Sequence, residues 1–224
     1  MLRVGTSGYD YDAWKKKFYP DKLKKRERLS YYASQFPTVE INYTFTKVPD
    51  EEVFAEWAAQ VPDEFVFAIK APQAITHFKR LVGCRKELER LFKKSAVMQK
   101  KRGPFLFQLP PNFKADHKRL KNFLKLIDVP AAFEFRHPSW FADETYQLLK
   151  SANVALCIAD TDDLRTPVIE TASFAYFRLR REDYSKSDLV KWREETKRFS
   201  GDVFVYFKHE DTASGPRFAK QFVR

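Results

Sequence analysis

A compact (β/α)8 barrel of the TIM type is the fold this sequence predicts, and three observations carry that prediction. Eight short apolar runs recur along the 224 residues. Helical or irregular stretches separate them, which is the order of parallel strands joined by right-handed crossovers. Within most runs apolar and polar residues alternate, as in Phe133-Glu134-Phe135-Arg136, so one face packs under helices while the other looks into a barrel. A doubly wound open sheet is the competing architecture. The chain has no Gly-x-Gly-x-x-Gly and no phosphate-loop motif to favour it. With no internal repeat or low-complexity tract, residues 1–224 read as one domain near the short end of the barrel size range.

Arg3 to Ser7 forms the first strand, followed by a polar-aromatic loop from Gly8 to Arg28. Leu29 to Phe36 is a short helix and Thr38 to Tyr43 the second strand. Pro49-Asp50-Glu51-Glu52 starts a helix running to about Val61, its acids placed where the dipole favours them. Phe65 to Lys70 is strand three. The stretch Leu81 to Lys101 holds a basic helix, with Leu88, Leu91 and Phe92 at helical spacing. Gly103-Pro104 marks a stop before strand four, Phe105 to Leu109, which Pro110-Pro111 ends. A helix over Asp116 to Ile127 leads to strand five, Ala132 to Arg136, and a helix from about Phe141 to Ser151 to strand six, Ala155 to Asp160. Thr161 to Ser173 shows no helical period, so the crossover between strands six and seven is irregular. Strand seven, Phe174 to Arg180, precedes a helix from Ser187 to Phe199. Strand eight, Val203 to Lys208, and a helix over Ser214 to Val223 complete the pattern.

Inward residues of such a barrel turn polar only near the strands' C-terminal ends. Alternation assigns Gly5 and Ser7, Glu40 and Asn42, Ala68 and Lys70, Leu106 and Gln108, and Glu134 and Arg136 to the inside. It does the same for Ile158 and Asp160, Tyr176 and Arg178, and Tyr206 and Lys208. The mouth is therefore expected to gather four cations and three carboxylates, with Arg136 and Arg178 as bidentate donors to a phosphate or carboxylate. Glu40, Glu134 and Asp160 have two readings, as general acid–base groups or as partners that orient the arginines. Lys70 likewise reads as a base or Schiff-base amine, or as an ion-paired lysine.

His137 and His209, with Glu134, Asp160 and Asp211 near them, admit a divalent metal, but no His-Glu-x-x-His spacing supports it and no residue is assigned as a ligand. The aromatic loop, with Tyr9, Trp14, Phe18 and Tyr19, either stacks a base or sugar over the mouth or caps the barrel as a local apolar cluster. Cys157 is expected to face a helix.

Forty-one Lys and Arg against 30 Asp and Glu give a net charge of +11, and the sequence pI is about 9.5. Such a balance fits polyanion partners, although glutamates interleave with the basic helix residues and favour a solvated set of helix faces. The sequence contains no 18-residue apolar stretch and no signal-peptide pattern, and its two cysteines make no disulfide framework; a cytoplasmic protein without a membrane partner is expected.

Gly5-Thr6-Ser7-Gly8-Tyr9 with Trp14 and Phe18-Tyr19-Pro20, Val39-Glu40-Ile41-Asn42, Gln108-Leu109-Pro110-Pro111, and Phe133-Glu134-Phe135-Arg136-His137-Pro138-Ser139-Trp140 together resemble the YecE-like family, domain of unknown function seventy-two. The resemblance spans essentially the whole chain and implies a TIM-barrel-like fold without implying a reaction. Tyr9 stands where members commonly carry Trp, and Phe207 to Asp211 occupies a segment often rich in Asn.

From these readings the expected protein is an enzyme performing hydrolytic or acid–base chemistry on a small phosphorylated or otherwise anionic ligand. Glu40, Glu134, Asp160 and Lys70 are its candidate catalytic groups. Ser7, Tyr9, Trp14, Asn42, Gln108, Arg136, His137, Arg178 and Lys208 are the candidate binding residues. The alternative is a non-catalytic nucleic-acid-binding protein using the basic helix faces.

Overall fold

Residues 1–208 and 211–224 are described by the computed structural model, and His209 and Glu210 lie outside the described residues. Eight parallel strands close into a barrel in sequential order: β1 (Leu2–Ser7), β2 (Thr38–Ile41), β3 (Val66–Lys70), β4 (Arg102–Gln108), β5 (Ala131–Glu134), β6 (Ala155–Asp160), β7 (Phe174–Leu179) and β8 (Asp202–Phe207). The seam between β1 and β8 runs from Leu2 opposite Val203 to Thr6 opposite Phe207. Around the strands lie α1 (Arg28–Ala33), α2 (Glu51–Ala59), α3 (Arg85–Ser95), α4 (His117–Leu124), α5 (Asp143–Ser151), α6 (Lys186–Thr196) and α7 (Ser214–Phe222). No α-helix connects β6 to β7, as the aperiodic sequence of that crossover requires. No helix among the described residues is long and apolar enough to cross a membrane.

Outward strand residues such as Val39, Ile41, Phe67, Ile69, Phe105, Phe107 and Phe133 pack with the helices in one large apolar layer. A second, smaller cluster fills the barrel itself: Ala68, Leu106, Ala132, Ala155 and Cys157 opposite Tyr176, Phe204 and Tyr206. Small side chains from one wall make room for the rings of the other, which is how a barrel interior reaches close packing.

Two expectations change here. Gly103-Pro104 lies within β4 rather than before it. Two steps along β3, Phe67 to Ile69, oppose three along β4, Arg102 to Phe105, so a bulge holds the proline without breaking the ladder. A Cβ on Gly103 would lie 3.0 Å from the Phe67 carbonyl oxygen and 2.5 Å from a Val66 methyl, so only glycine fits that approach.

The facing of β6 also reverses. Ala155 and Cys157 point into the barrel, whereas Leu156 and Ile158 join the outer layer. Cys157 is thus an interior residue, and Asp160 points out: its Oδ2 accepts from Trp192 Nε1 of α6 at 2.9 Å and lies 3.7 Å from Arg181 Nε. β6 is apolar on both faces, so its alternation carried no direction. The bulk of Tyr176 and Phe204 decides it, because that wall can present only small residues inward.

Candidate functional site

Strand alternation brings Ser7, Glu40, Asn42, Gln108, Glu134, Arg136 and Arg178 together at the C-terminal mouth. Register makes the first pairings local. Ser7 is opposite Glu40 across β1–β2, and Gln108 opposite Glu134 across β4–β5. Arg178 then spans the interior from β7. Its Nη2 donates to Glu40 Oε1 at 2.9 Å and to Ser7 Oγ at 3.2 Å, and its Nη1 donates to Glu134 Oε2. All three ionised side chains are essentially sealed from solvent.

Both carboxylates are saturated with donors. Glu40 accepts from Ser7 Oγ and Arg178 on one oxygen and from Tyr176 OH on the other at 2.6 Å. Glu134 Oε1 accepts from Gln108 Nε2 at 2.8 Å, Arg136 Nε at 2.9 Å and Arg180 Nη1 at 3.4 Å, while Oε2 takes Arg178. Burial alone would raise these carboxyls. The guanidiniums overcome that: Arg178, Arg136 and Arg180 hold Glu134 far below the ordinary range, and Arg178 with the Ser7 and Tyr176 hydroxyls lowers Glu40. A buried carboxylate held ionised by guanidiniums, with both oxygens hydrogen-bonded, is a poor proton donor or acceptor near neutral pH. Of their two readings, the orienting role fits Glu40 and Glu134.

Ser7 is equally spent. Its hydroxyl donates to Glu40 and accepts from Asn42 Nδ2 at 2.8 Å as well as from Arg178.

Lys70, the last residue of β3, behaves differently. It is 8% exposed and makes no ion pair with a described residue, against the ion-paired reading. Its Nζ sits 4.1 Å from the centroid of the Phe45 ring, and its carbonyl is pinned by Thr44 Oγ1 at 2.6 Å. Burial first, then the Arg178 guanidinium, push its ammonium down to about 7, over the opposing pull of Glu40 and Glu134; Lys208 adds to the lowering. His77, on the π-helical turn Ala74–Phe78 after β3, stands edge-on to the same Phe45 ring at 5.1 Å. Burial and the Lys70 charge depress its imidazolium.

Arg180 is a mouth residue that the alternation of β7 announces, because Tyr176, Arg178 and Arg180 share one parity. Its Nε is buried without a partner, as are Arg178 Nε and Asn42 Oδ1. With Arg136 it lines a cleft of about 340 Å³ whose other walls include Pro111, Thr161, Asp162 and Leu164. That volume lies at the small end of ligand sites.

The remaining expected site residues lie elsewhere. Trp14 is wholly buried, with Tyr11, Phe18 and Tyr19 around it, so it offers no face for stacking and serves the capping cluster. The Tyr9 ring packs over Tyr32, which bonds to Thr6 on the outer side of β1, and burial lifts its phenol to about 12. His137 caps the turn Pro138–Trp140, its Nδ1 held by Ser139. Asp160 belongs to the outer layer, so the sequence's three-carboxylate mouth contains two. His209 lies outside the described residues, and no group of three potential metal ligands converges among those described.

A family model described as "Protein of unknown function DUF72" matches residues 3–224. The protein YunF of Bacillus subtilis, described as a UPF0759 protein, is 30% identical over 158 residues, 66% of this chain; the chain spans just over half, 55%, of that relative's length. Among solved structures, a DUF72 family protein of Thermotoga maritima is 27% identical with a TM-score of 0.89, covering 100% of this chain and 98% of that one. Another from Enterococcus faecalis, 21% identical with a TM-score of 0.82 over 99% and 94% of the two chains, shares the fold.

Proposed function

The chain belongs to the DUF72 family, and we propose that its barrel mouth binds a small phosphorylated or carboxylated ligand on which Lys70 performs acid–base chemistry. One observation carries the reading: the mouth holds more positive charge than it neutralises. Among the described residues, Lys70, Arg136, Arg178 and Arg180 face the buried Glu40 and Glu134, both bridged by Arg178, while Asp162 and Asp163 line the cleft without an ion pair to Arg136 or Arg180. Charge withdrawn from water is costly without a counter-charge, and a bound anion supplies it.

Donors are available for that anion. Among the described residues Arg136 spends only Nε on Glu134 and Arg180 only Nη1, which leaves Arg136 Nη1 and Nη2 and Arg180 Nη2 for a ligand oxygen. The planar fork of Arg suits phosphate and carboxylate.

Lys70 is the group whose proton affinity matches neutral pH, the condition for general acid–base work. Hydrolysis driven by a carboxylate base loses support, because Glu40 and Glu134 are buried and their pKa values are lowered by the arginines they hold. Barrels of this type carry their chemistry at the C-terminal mouth, which supports the reading by analogy.

Nucleic-acid binding through the helix faces gains no specific observation. The basic residues there are partly neutralised: Lys94 by Asp50, Lys100 and Lys101 by Asp63, and Lys79 by Glu87.

The test is calorimetric titration with inorganic phosphate at pH 6.5. Wild type is expected to bind, and Arg136→Gln with Arg180→Gln to weaken binding at least tenfold, in line with the loss of charge-assisted bonds. Equal affinity in both proteins would refute the site.

A further inference from the structure

We propose that Lys70 forms a Schiff base with an aldehyde or ketone that carries a phosphate or carboxylate group. The inference rests on the anion-binding reading above and adds the reacting function of the ligand.

Lysines at strand ends are ordinarily held by a carboxylate, which keeps the amine protonated and inert. Here the nearby carboxylates are already engaged. Glu40 is taken by Ser7, Tyr176 and Arg178, and Glu134 by Gln108 and three arginines. Among the described residues the Lys70 amine has an aromatic face as its direct partner, at the end of β3 where Thr44 fixes the backbone. A buried amine beside another cation is the arrangement that yields a nucleophilic lysine. The Phe45 ring suits both ends of the reaction, because an iminium left on Nζ remains a cation over the same π face.

His77 stands edge-on to the same ring, at 5.1 Å between centroids. His77 Nδ1 is engaged by Thr76 Oγ1 at 2.8 Å, and Nε2 has no partner among the described residues. In the step proposed, the neutral Nζ attacks the carbonyl carbon to form a C–N bond, and the carbonyl π pair moves to oxygen. That oxygen takes up a proton and nitrogen gives one up, giving the carbinolamine. A further proton on the hydroxyl lets it leave as water while the nitrogen lone pair forms C=N. The sum is one amine, one carbonyl and one proton giving one iminium and one water. Solvent supplies and takes up these protons. The anionic group of the ligand meets Arg136 and Arg180.

Borohydride trapping tests this, with glycolaldehyde phosphate and glyoxylate as probes at pH 7. Hydride adds to C=N and fixes the adduct as a secondary amine, which peptide mass mapping locates. The expected result is one dominant adduct on Lys70, suppressed at least tenfold by excess inorganic phosphate and absent in Lys70→Met. Circular dichroism of that variant shows that it is folded. If phosphate binds but both probes label surface lysines alone, the Schiff-base inference fails and the anion site stands. If phosphate does not bind and Lys70 is not labelled, both fail.

Discussion

The mouth of this barrel has a floor and a rim that treat charge in opposite ways. On the floor, Arg178, Glu40 and Glu134 are buried together, and nearly every polar atom is paired. At the rim, Lys70 has no counter-ion among the described residues, and Arg136 and Arg180 keep donors unspent. The floor contains the residues that a search for catalytic carboxylates selects first, yet saturation makes it scaffold. Reactivity follows from incomplete pairing, so the rim is where chemistry belongs.

The floor breaks most dramatically. Arg178→Met leaves two buried carboxylates facing each other without a cation and is expected to lower stability by about 3–5 kcal/mol in urea unfolding. Adding Glu40→Gln and Glu134→Gln should recover much of that loss, because it is the unpaired charge that costs.

Glu134→Gln alone removes the counter-charge of three arginines and should cost about 3 kcal/mol at pH 7. The Glu134 carboxyl titrates in the folded protein well below its ordinary 4.5, so its contribution is fully present above that pH and lost as the medium becomes more acid. Wild type should therefore lose stability below pH 4.5 more steeply than the variant. Equal slopes would mean that Glu134 is not the anchor of the floor.

Rim substitutions carry the opposite sign. Lys70→Met deletes a buried, unpaired ammonium and should raise stability by roughly 2–3 kcal/mol at pH 6. The folded amine titrates near 7 and the unfolded one near 10.5, so the penalty is complete below 7 and relieved between the two values. The gain from the variant must therefore fade as pH climbs through that window. A variant less stable than wild type at pH 6 would show that Lys70 has a partner.

The smallest effect sharpens the contrast with the outer surface. Lys94→Ala breaks an ion pair with the exposed Asp50 and is expected to cost under about 1 kcal/mol, with no change in phosphate affinity.

The floor was legible in the sequence because its strands alternate cleanly. Val39-Glu40-Ile41 and Phe133-Glu134-Phe135 admit one facing each, and Tyr176 with Arg178 fixes a third. β6 was not legible. Ala155 to Ala159 is apolar on both faces, so the terminal Asp160 suggested an inward position that the bulk of neighbouring rings excludes. Arg180 needed one more step of the period along β7. The unpaired state of Lys70 could not be read at all, because it depends on which cation across the barrel reaches the carboxylates first. Arg178 does so, from β7.

Lys70 stands without a counter-ion among the described residues, in a mouth whose nearest carboxylates are held by arginines. A ¹³Cε NMR titration of Lys70, assigned by its loss in Lys70→Met, measures this directly. The predicted midpoint lies near pH 7 in the free protein and moves upward in the presence of inorganic phosphate, since a bound anion favours the ammonium. A midpoint near the ordinary 10.5, unmoved by phosphate, would contradict the account.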